Sequence, residues 1–251
     1  MPREDLGRLG GEGAEGDHRR HDDVAEFRLH VLPGMGDALA RVVTSCRWRE
    51  FVPGQQILAY QDPSSDVHFL AAGRARVIIY SREGKAVVFT DLNAGTMFGE
   101  IAAIDRGPRS ASVEALETSS IASLTADQFE NLLLREPGVA LATLRQFASE
   151  VRRLSERVLE FSTLVVQNRI QAELLRLAAS SPQQHGEAII SPAPSLSDIA
   201  NRISTHREAV SRELSRLTSV GLIRRQGGDL RIRDVARLEE FVREAKGEAE
   251  Y

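Results

Sequence analysis

The stretch Phe98-Gly99-Glu100-Ile101-Ala102-Ala103-Ile104, followed by Asp105-Arg106-Gly107 and Pro108-Arg109-Ser110-Ala111-Ser112-Val113, gathers the groups needed to hold a phosphate ester. Gly99 permits close backbone approach, the small apolar run after it suits a short helix whose first amides can face an anion, and Arg109 and Ser110, expected in a surface loop, add a guanidinium and a hydroxyl. Glu100 cannot help to bind a phosphate, but a carboxylate accepts hydrogen bonds from a hydroxyl. The combination points to a phosphate carried on a sugar. A competing reading, left open by residue chemistry alone, pairs Glu100 with Arg109 across a loop.

A second constellation is Ser204-Thr205-His206-Arg207-Glu208-Ala209-Val210-Ser211-Arg212. On a helix Arg207, Glu208, Ser211 and Arg212 share one exposed face while Val210 and Leu214 turn inward. Arginine pairs with guanine O6 and N7, and glutamate accepts from cytosine N4, so such a face favours G·C-containing sites in a major groove. The alternative is a solvated face on which Glu208 only completes a helix cap begun by Thr205.

The elements needed to carry these groups follow from the patterning. The 251 residues suit two domains of roughly 100–150 residues. The 42% hydrophobic and 27% charged residues are globular values, which excludes disorder throughout. Residues 1–26 are Gly-rich, of mixed charge and aperiodic, and are expected to form a disordered tail. A short helix interrupted at Pro33-Gly34 is expected over 28–46. Runs at Val67–Ala71, Arg74–Tyr80, Lys85–Leu92, Ser110–Ala115 and Ser119–Leu124 read as short strands, suggesting a small barrel or jelly roll over Arg47 to Leu124.

Beyond Thr125 the period becomes helical. Leu144, Phe147, Val151, Leu154, Val158, Phe161 and Val165 alternate spacings of 3 and 4, a three-heptad seam that suits a parallel dimer; a helix packed on its own barrel is the alternative, although its apolar stripe is usually wider. A further helix over about Val166–Ala179, a Pro-containing loop from Pro182 to Pro194, two capped helices from Ser195 to Val220 with Ser197 near the start of the first, a hairpin wing at Leu222–Arg233 and a last helix at Val235–Ala245 complete the chain. Net charge is −4, yet between Ser195 and Arg233 eight arginines face four acids, a local excess of about +4.

The first constellation closely resembles the phosphate-binding cassette of cyclic-nucleotide-binding domains. By that resemblance Gly99, Glu100 and Ile101, with Ala102 beside them, would hold the ribose, Glu100 taking its 2′-hydroxyl, while Arg109, Ser110 and Ala111 would surround the cyclic phosphate. The second resembles the recognition helix of the cyclic-AMP receptor protein and fumarate–nitrate regulator family of bacterial transcription factors. Roll, cassette, long helix, helix-turn-helix and wing occur in that family's order from about Leu29 to Arg233. Arg207, Glu208 and Arg212 match the base-contacting positions of its cyclic-AMP-binding branch, which implies a half-site of TGTGA type.

The resemblance implies an α+β chain with a roll over 27–136, a dimerisation helix over 137–165 and a winged helix-turn-helix over 166–251. It further implies a homodimer, DNA and RNA polymerase as partners, and cyclic AMP as allosteric ligand. One departure concerns the adjacent Thr-Ser pair that touches adenine in the family, which falls here at Leu154-Ser155. The lost hydroxyl makes cyclic GMP an alternative ligand. A ligand-independent regulator and a regulatory subunit of a cyclic-nucleotide-controlled enzyme are the rival functions. Against the latter, every segment is assigned and no P-loop, nucleophile elbow, kinase loop or zinc-ligand pair is found.

The single cysteine, Cys46, excludes an internal disulfide or Cys-based metal site and reads as a small buried hydrophobe. His68, His185 and His206 lack ligand spacing, so no metal is expected and surface or capping roles are assigned to them. With no apolar run near the roughly 18 residues of a membrane span and no signal-peptide core, the chain is expected in the cytoplasm.

Overall fold

The computed structural model describes residues 46–247; the expected tail and all of the expected 28–46 helix except Cys46 lie outside them. The described residues form two compact units, one of 46–77 with 91–145 and one of 78–90 with 146–247.

Eight strands build the roll: β1 (Arg47–Phe51), β2 (Gln56–Leu58), β3 (Val67–Ala72), β4 (Arg74–Tyr80), β5 (Ala86–Asn93), β6 (Met97–Phe98), β7 (Ser112–Ala115) and β8 (Ser119–Leu124). They lie in two sheets, ordered β1-β8-β3-β6 and β2-β7-β4-β5. In the antiparallel β3–β8 pair Val67 faces Leu124 and Phe69 faces Ala122. Successive side chains of a strand point to opposite faces. Accordingly Val67, Phe69 and Ala71 enter one apolar cluster with Met97, Ala122 and Leu124, while Leu70 enters another with Phe51, Leu58, Phe98, Val113 and Ile121. Burial on both faces explains why β3 and β8 read as strands from sequence. By contrast β1 is largely exposed and charged, and β2 and β6 are too short to carry a period.

Helix α1 (Glu100–Asp105) follows β6, and α2 (Ala126–Arg135) follows β8. Thr125 opens α2 with a capping box shared with Gln128, and Phe129 and Leu132 of α2 close the first cluster together with Val139 of α3 (Pro137–Thr163). Pro137 is the first residue of α3, where its missing N–H is not needed. The expected seam lies on the surface of the single chain: Leu144, Val151, Val158 and Val165 are between 62 and 65% exposed, and Leu154 and Phe161 about 40%.

In the second unit α4 (Val166–Ala179) leads to β9 (Gln183–Gln184) and β10 (Glu187–Ile190), where sequence suggested only a loop. The three prolines of that stretch, Pro182, Pro192 and Pro194, fall outside both strands, so no ladder hydrogen bond is lost. Next come α5 (Leu196–Arg202), α6 (Arg207–Ser219), the hairpin β11 (Ile223–Gln226) and β12 (Asp229–Ile232), and α7 (Val235–Lys246). The hairpin turns at Gly227-Gly228, both at positive φ, as a two-residue turn joining Gln226 to Asp229 requires. Its strands form a sheet ordered β11-β12-β10-β9. Ile170, Leu174 and Ala178 repeat every fourth residue along α4 and pack with Ile199, Val210, Leu214, Leu217, Ile223 and Leu230 in one core.

Candidate ligand and nucleic-acid sites

The cassette sits where β6 turns into α1. Gly99 caps α1 at φ 81°, a conformation that L side chains rarely adopt, and a Cβ there would stand 2.8 Å from Arg109 Nη1 and 3.1 Å from the Asp66 carbonyl. Glycine is thus required by both backbone angle and space. Ala102 and Ala103 form the buried face of α1, Ile101 is exposed, and Gly99 and Glu100 are half-buried. Ser110 is exposed and Ala111 half-buried at the entrance to β7.

Arg109 departs from expectation. Read as a surface-loop cation, it is 2% exposed and fixed on three sides: Nε donates to Ser64 Oγ at 3.0 Å, Nη1 to the Gly99 carbonyl at 2.8 Å and Nη2 to the Asp66 carbonyl at 2.8 Å. Its backbone is also tied, its N–H donating to the Asp62 carbonyl at 2.9 Å and its carbonyl accepting from Gln61 N at 3.0 Å. Burial pulls the guanidinium below its ordinary range while Asp66, Asp62 and Glu100 act in the opposite sense. The group remains a cation at neutral pH. Five N–H groups are available and these bonds engage three, so the side chain is a preset donor.

His68 also departs from its surface assignment. It lies opposite Phe98 in the β3–β6 pair, its ring 5.3 Å from that of Phe98, with Nδ1 2.8 Å from Ser123 Oγ and Nε2 buried without a hydrogen-bond partner. Burial first, then Arg109, Arg47 and Arg49, push its pKa down to about 3. Ser64 and Asp66 are partners of Arg109 that sequence reasoning missed; Asp62-Pro63 signals a turn, but nothing local signals what the turn grips. Cys46 is half-buried rather than fully buried, and burial raises its thiol to about 12. His185, at positive φ, is exposed in the β9–β10 turn.

Leu154 and Ser155 lie on α3, both exposed, and Ser155 Oγ donates to the Val151 carbonyl at 2.9 Å. Its hydroxyl proton is thereby used within the helix, and what it presents outward is an acceptor.

The second constellation takes its expected shape. Arg207, Glu208, Ser211 and Arg212 are exposed on α6, while Val210 and Leu214 are buried. Ser195 and Asp198 form the expected capping box on α5, and Ser197 is exposed beside it. The expected cap at Thr205 is not formed. Ser204 at φ 51° shifts the turn by one residue, Thr205 N–H bonds the Ala200 carbonyl, and His206 caps α6 without a side-chain hydrogen bond. Glu208 is consequently not a capping partner of Thr205. It lies 3.5 Å from Arg207 Nε in a highly exposed pair, which contributes little to stability. Of the eight arginines in this segment, Arg202 and Arg216 pair with Glu173 and Glu213, whereas Arg207, Arg212, Arg224, Arg225 and Arg233 are exposed.

Comparison with known proteins agrees with this geometry. Residues 48–136 match the model of the cyclic nucleotide-binding domain and residues 168–241 that of the Crp-like helix-turn-helix domain. The chain is 30% identical over 200 residues to the cyclic AMP receptor protein of Thermus thermophilus, covering 77% of this chain and 87% of that one. It is 24% identical over 202 residues to the CRP-like cAMP-activated global transcriptional regulator of Mycobacterium tuberculosis, covering 80% and 90%. Among solved structures, the c-di-GMP responsive global regulator CLP of Xanthomonas campestris aligns with TM-score 0.68 at 16% identity over 78% of this chain and 98% of that one, a likeness of fold. The chain belongs to the CRP/FNR family of transcription regulators, built from a cyclic nucleotide-binding domain and a DNA-binding helix-turn-helix. Its relatives are transcription regulators and not enzymes. No helix among the described residues is long and apolar enough to cross a membrane.

Proposed function

We propose that the chain is a homodimeric regulator whose affinity for a two-fold DNA site is set by a cyclic purine nucleotide. Arg109 and Ser110 take the cyclic phosphate, Gly99, Glu100, Ile101 and Ala102 line the ribose with Glu100 on its 2′-hydroxyl, and Leu154 and Ser155 are the residues offered to the base. Cyclic AMP is the first ligand and cyclic GMP the alternative. The observation that carries this reading is the preset guanidinium of Arg109, aligned by Ser64 and the Asp66 and Gly99 carbonyls beside a glycine that no other residue can replace.

Dimerisation through α3 is supported by its exposed apolar seam. Two α6 helices held about 34 Å apart enter successive major grooves, where Arg207, Glu208 and Arg212 read a TGTGA-like half-site and Ser197, Thr205, His206 and Ser211 meet the backbone. RNA polymerase is the partner through which bound DNA affects transcription. A ligand-independent regulator is the second reading, favoured by the burial of Arg109 and the absence of a threonine at Leu154.

Calorimetric titration with cyclic AMP and cyclic GMP in parallel, followed by titration of a TGTGA palindrome with and without the better ligand, decides between them. The expected result is one nucleotide bound per chain and a DNA affinity at least tenfold higher with it. Unchanged DNA affinity favours the ligand-independent reading, and failure to bind the palindrome above random DNA rejects the site.

A further inference from the structure

Four residues of α6 turn inward, Val210, Glu213, Leu214 and Leu217, at the spacing of one helix face. Three are apolar and belong to the core shared with Ile170 and Leu174 of α4. The fourth is a carboxylate, only 5% exposed, and burying a carboxylate is costly unless it is both paired and hydrogen-bonded. Glu213 is both. Its Oε1 accepts from Nε2 of Gln171, a buried residue of α4, at 2.7 Å and from Arg216 Nη2 at 2.7 Å, while Oε2 accepts from Arg216 Nε at 2.9 Å. Gln167, with its amide oxygen toward the guanidinium, accepts from Arg216 Nε at 3.1 Å and from Nη2 at 3.2 Å. One turn apart on α4, Gln167 and Gln171 thus grip Arg216 and Glu213 of α6.

Stability does not account for this arrangement. Replacing a buried charged group and its partner by well-packed apolar residues of similar volume is often neutral or stabilising, and the neighbouring residues of this core are apolar already. What apolar contacts lack is direction: cores of suitable volume repack with loss of uniqueness before loss of stability. A turn of α6 about its axis that would only rearrange methyl groups would here strip Glu213 of Gln171 and leave a buried carboxylate short of a donor. The pair therefore favours one rotation of α6 on α4.

That rotation has its consequence on the other side of the helix. At about 100° per residue, the centre of the exposed face formed by Arg207, Glu208, Ser211 and Arg212 lies opposite Glu213. A rotation of about 20° carries an atom about 6 Å from the helix axis by roughly 2 Å, enough to break a hydrogen bond. We propose that Gln171 and Glu213, assisted by Arg216 and Gln167, are positioning residues that set the rotation of α6 on α4, so that discrimination among DNA sequences depends on this pair more than stability does. The part that concerns DNA rests on the reading of Arg207, Glu208 and Arg212 as base contacts.

The rotation is read without DNA, on the full chain with Cys46→Ala, spin labels at the exposed positions Ser211→Cys and Glu239→Cys, and an excess of unlabelled chain to suppress distances between protomers. Pulsed dipolar spectroscopy is expected to give one narrow distance distribution. The pair Gln171→Leu with Glu213→Leu should broaden it at least twofold, and Glu213→Gln, which keeps an oxygen for Gln171, should leave it narrow. Gln171→Met leaves Glu213 its bonds to Arg216, should broaden the distribution less, and serves if the double variant does not fold. A distribution as narrow in the double variant as in wild type, or in Gln171→Met where that variant takes its place, overturns the proposal.

Discrimination is read as the ratio of affinities for the TGTGA palindrome and for random DNA of the same length, both with cyclic AMP present. The double variant should unfold in urea at or above the wild-type midpoint, bind random DNA with unchanged or up to threefold higher affinity, and lose at least fivefold in the ratio. Glu213→Gln should stay within twofold of the wild-type ratio. A wild-type ratio in the double variant, whatever its stability, overturns the role in discrimination. A wild-type chain that does not prefer the palindrome would reject base reading, while the distances still decide whether the pair sets the rotation of α6.

Discussion

Replacing Arg109 by alanine separates two roles that this side chain combines. If it were a surface cation, the substitution would abolish phosphate binding and change stability by less than about 0.5 kcal/mol, as exposed positions usually do. The structure requires more. The guanidinium is 2% exposed and donates to Ser64 Oγ and to two backbone carbonyls, and hydrogen bonds to a charged group contribute about 1.5–3 kcal/mol each. The three are not additive, since the Gly99 and Asp66 carbonyls regain some hydration once the side chain is gone. A loss of about 3–5 kcal/mol is expected, similar to breaking a buried ion pair. Ser64→Ala, which removes only the acceptor for Nε, should lose about 1.5 kcal/mol, the low end of that range.

Urea unfolding followed by tryptophan fluorescence measures this in the right place. Trp48 is the single tryptophan and packs against the cluster containing Phe69, Met97 and Phe129, in the same unit as the cassette. Cyclic AMP at a hundredfold excess over its Kd should stabilise the wild-type transition by about 2.7 kcal/mol and the Arg109→Ala transition not at all. A variant within about 1 kcal/mol of wild type refutes the anchoring role, and equal protection by nucleotide in both refutes the phosphate role.

Three further outcomes are expected. Glu208→Ala should leave affinity for random DNA unchanged or slightly higher while relaxing discrimination at one base pair by about 1–3 kcal/mol in competition binding; a uniform loss across sequences would count against base reading. Leu154→Thr should shift the ratio of cyclic AMP to cyclic GMP affinity by about 0.5–1.5 kcal/mol toward cyclic AMP, the net value of one hydrogen bond, whereas weakened helix packing would lower both affinities together; an unchanged ratio means that this position does not meet the base. His68 is held neutral in the folded state, so the unfolded state binds the extra proton between pH 6.5 and about 3 and stability falls as the pH drops through that window. Between pH 6.5 and pH 4.5 the wild type should lose about 2–3 kcal/mol more than His68→Phe, and parallel curves in urea would show that His68 titrates normally.

What was legible in the sequence was local. The cassette runs from Phe98 to Val113 and the exposed charged face of α6 from Arg207 to Arg212, so covalent spacing fixes most of their geometry. What was missed depends on segments far apart in the chain. Ser64 and Asp66 lie more than 40 residues before Arg109, and only the closed roll brings them to it. His68 reads as a polar residue in an alternating strand, yet β3 has a cluster on each face, so the outward-pointing position that alternation implies is partly covered. The misplaced cap at Thr205 has a backbone cause, since the positive φ of Ser204 cannot be inferred from a serine. Strands β2, β6 and β9 are two or three residues long, too short for any periodicity to register.

Helix α3 shows how one sequence pattern can hide another. The residues at 151, 154, 158, 161 and 165 form the apolar stripe that dominates the sequence. Arg153, Arg157, Glu160 and Leu164, spaced 4, 3 and 4, form a second stripe beside it. The second stripe grips the chain's own elements: Arg153 donates to the Phe89 carbonyl at 3.0 Å, Arg157 and Glu160 engage α4, and Leu164 is buried just past the end of α3. A helix that served only as a packing surface would need just the apolar stripe. One that must also carry orientation needs directional contacts on a face that its partner leaves free, and charged residues one position before the seam supply them. Pairing of two α3 seams would fix the rotation of each helix about its axis, and with it the direction in which Arg157 and Glu160 point. In the proposed homodimer the spacing between two recognition helices would then depend on the seam, and its loss should leave each helix-turn-helix unit folded but unable to match a two-fold site.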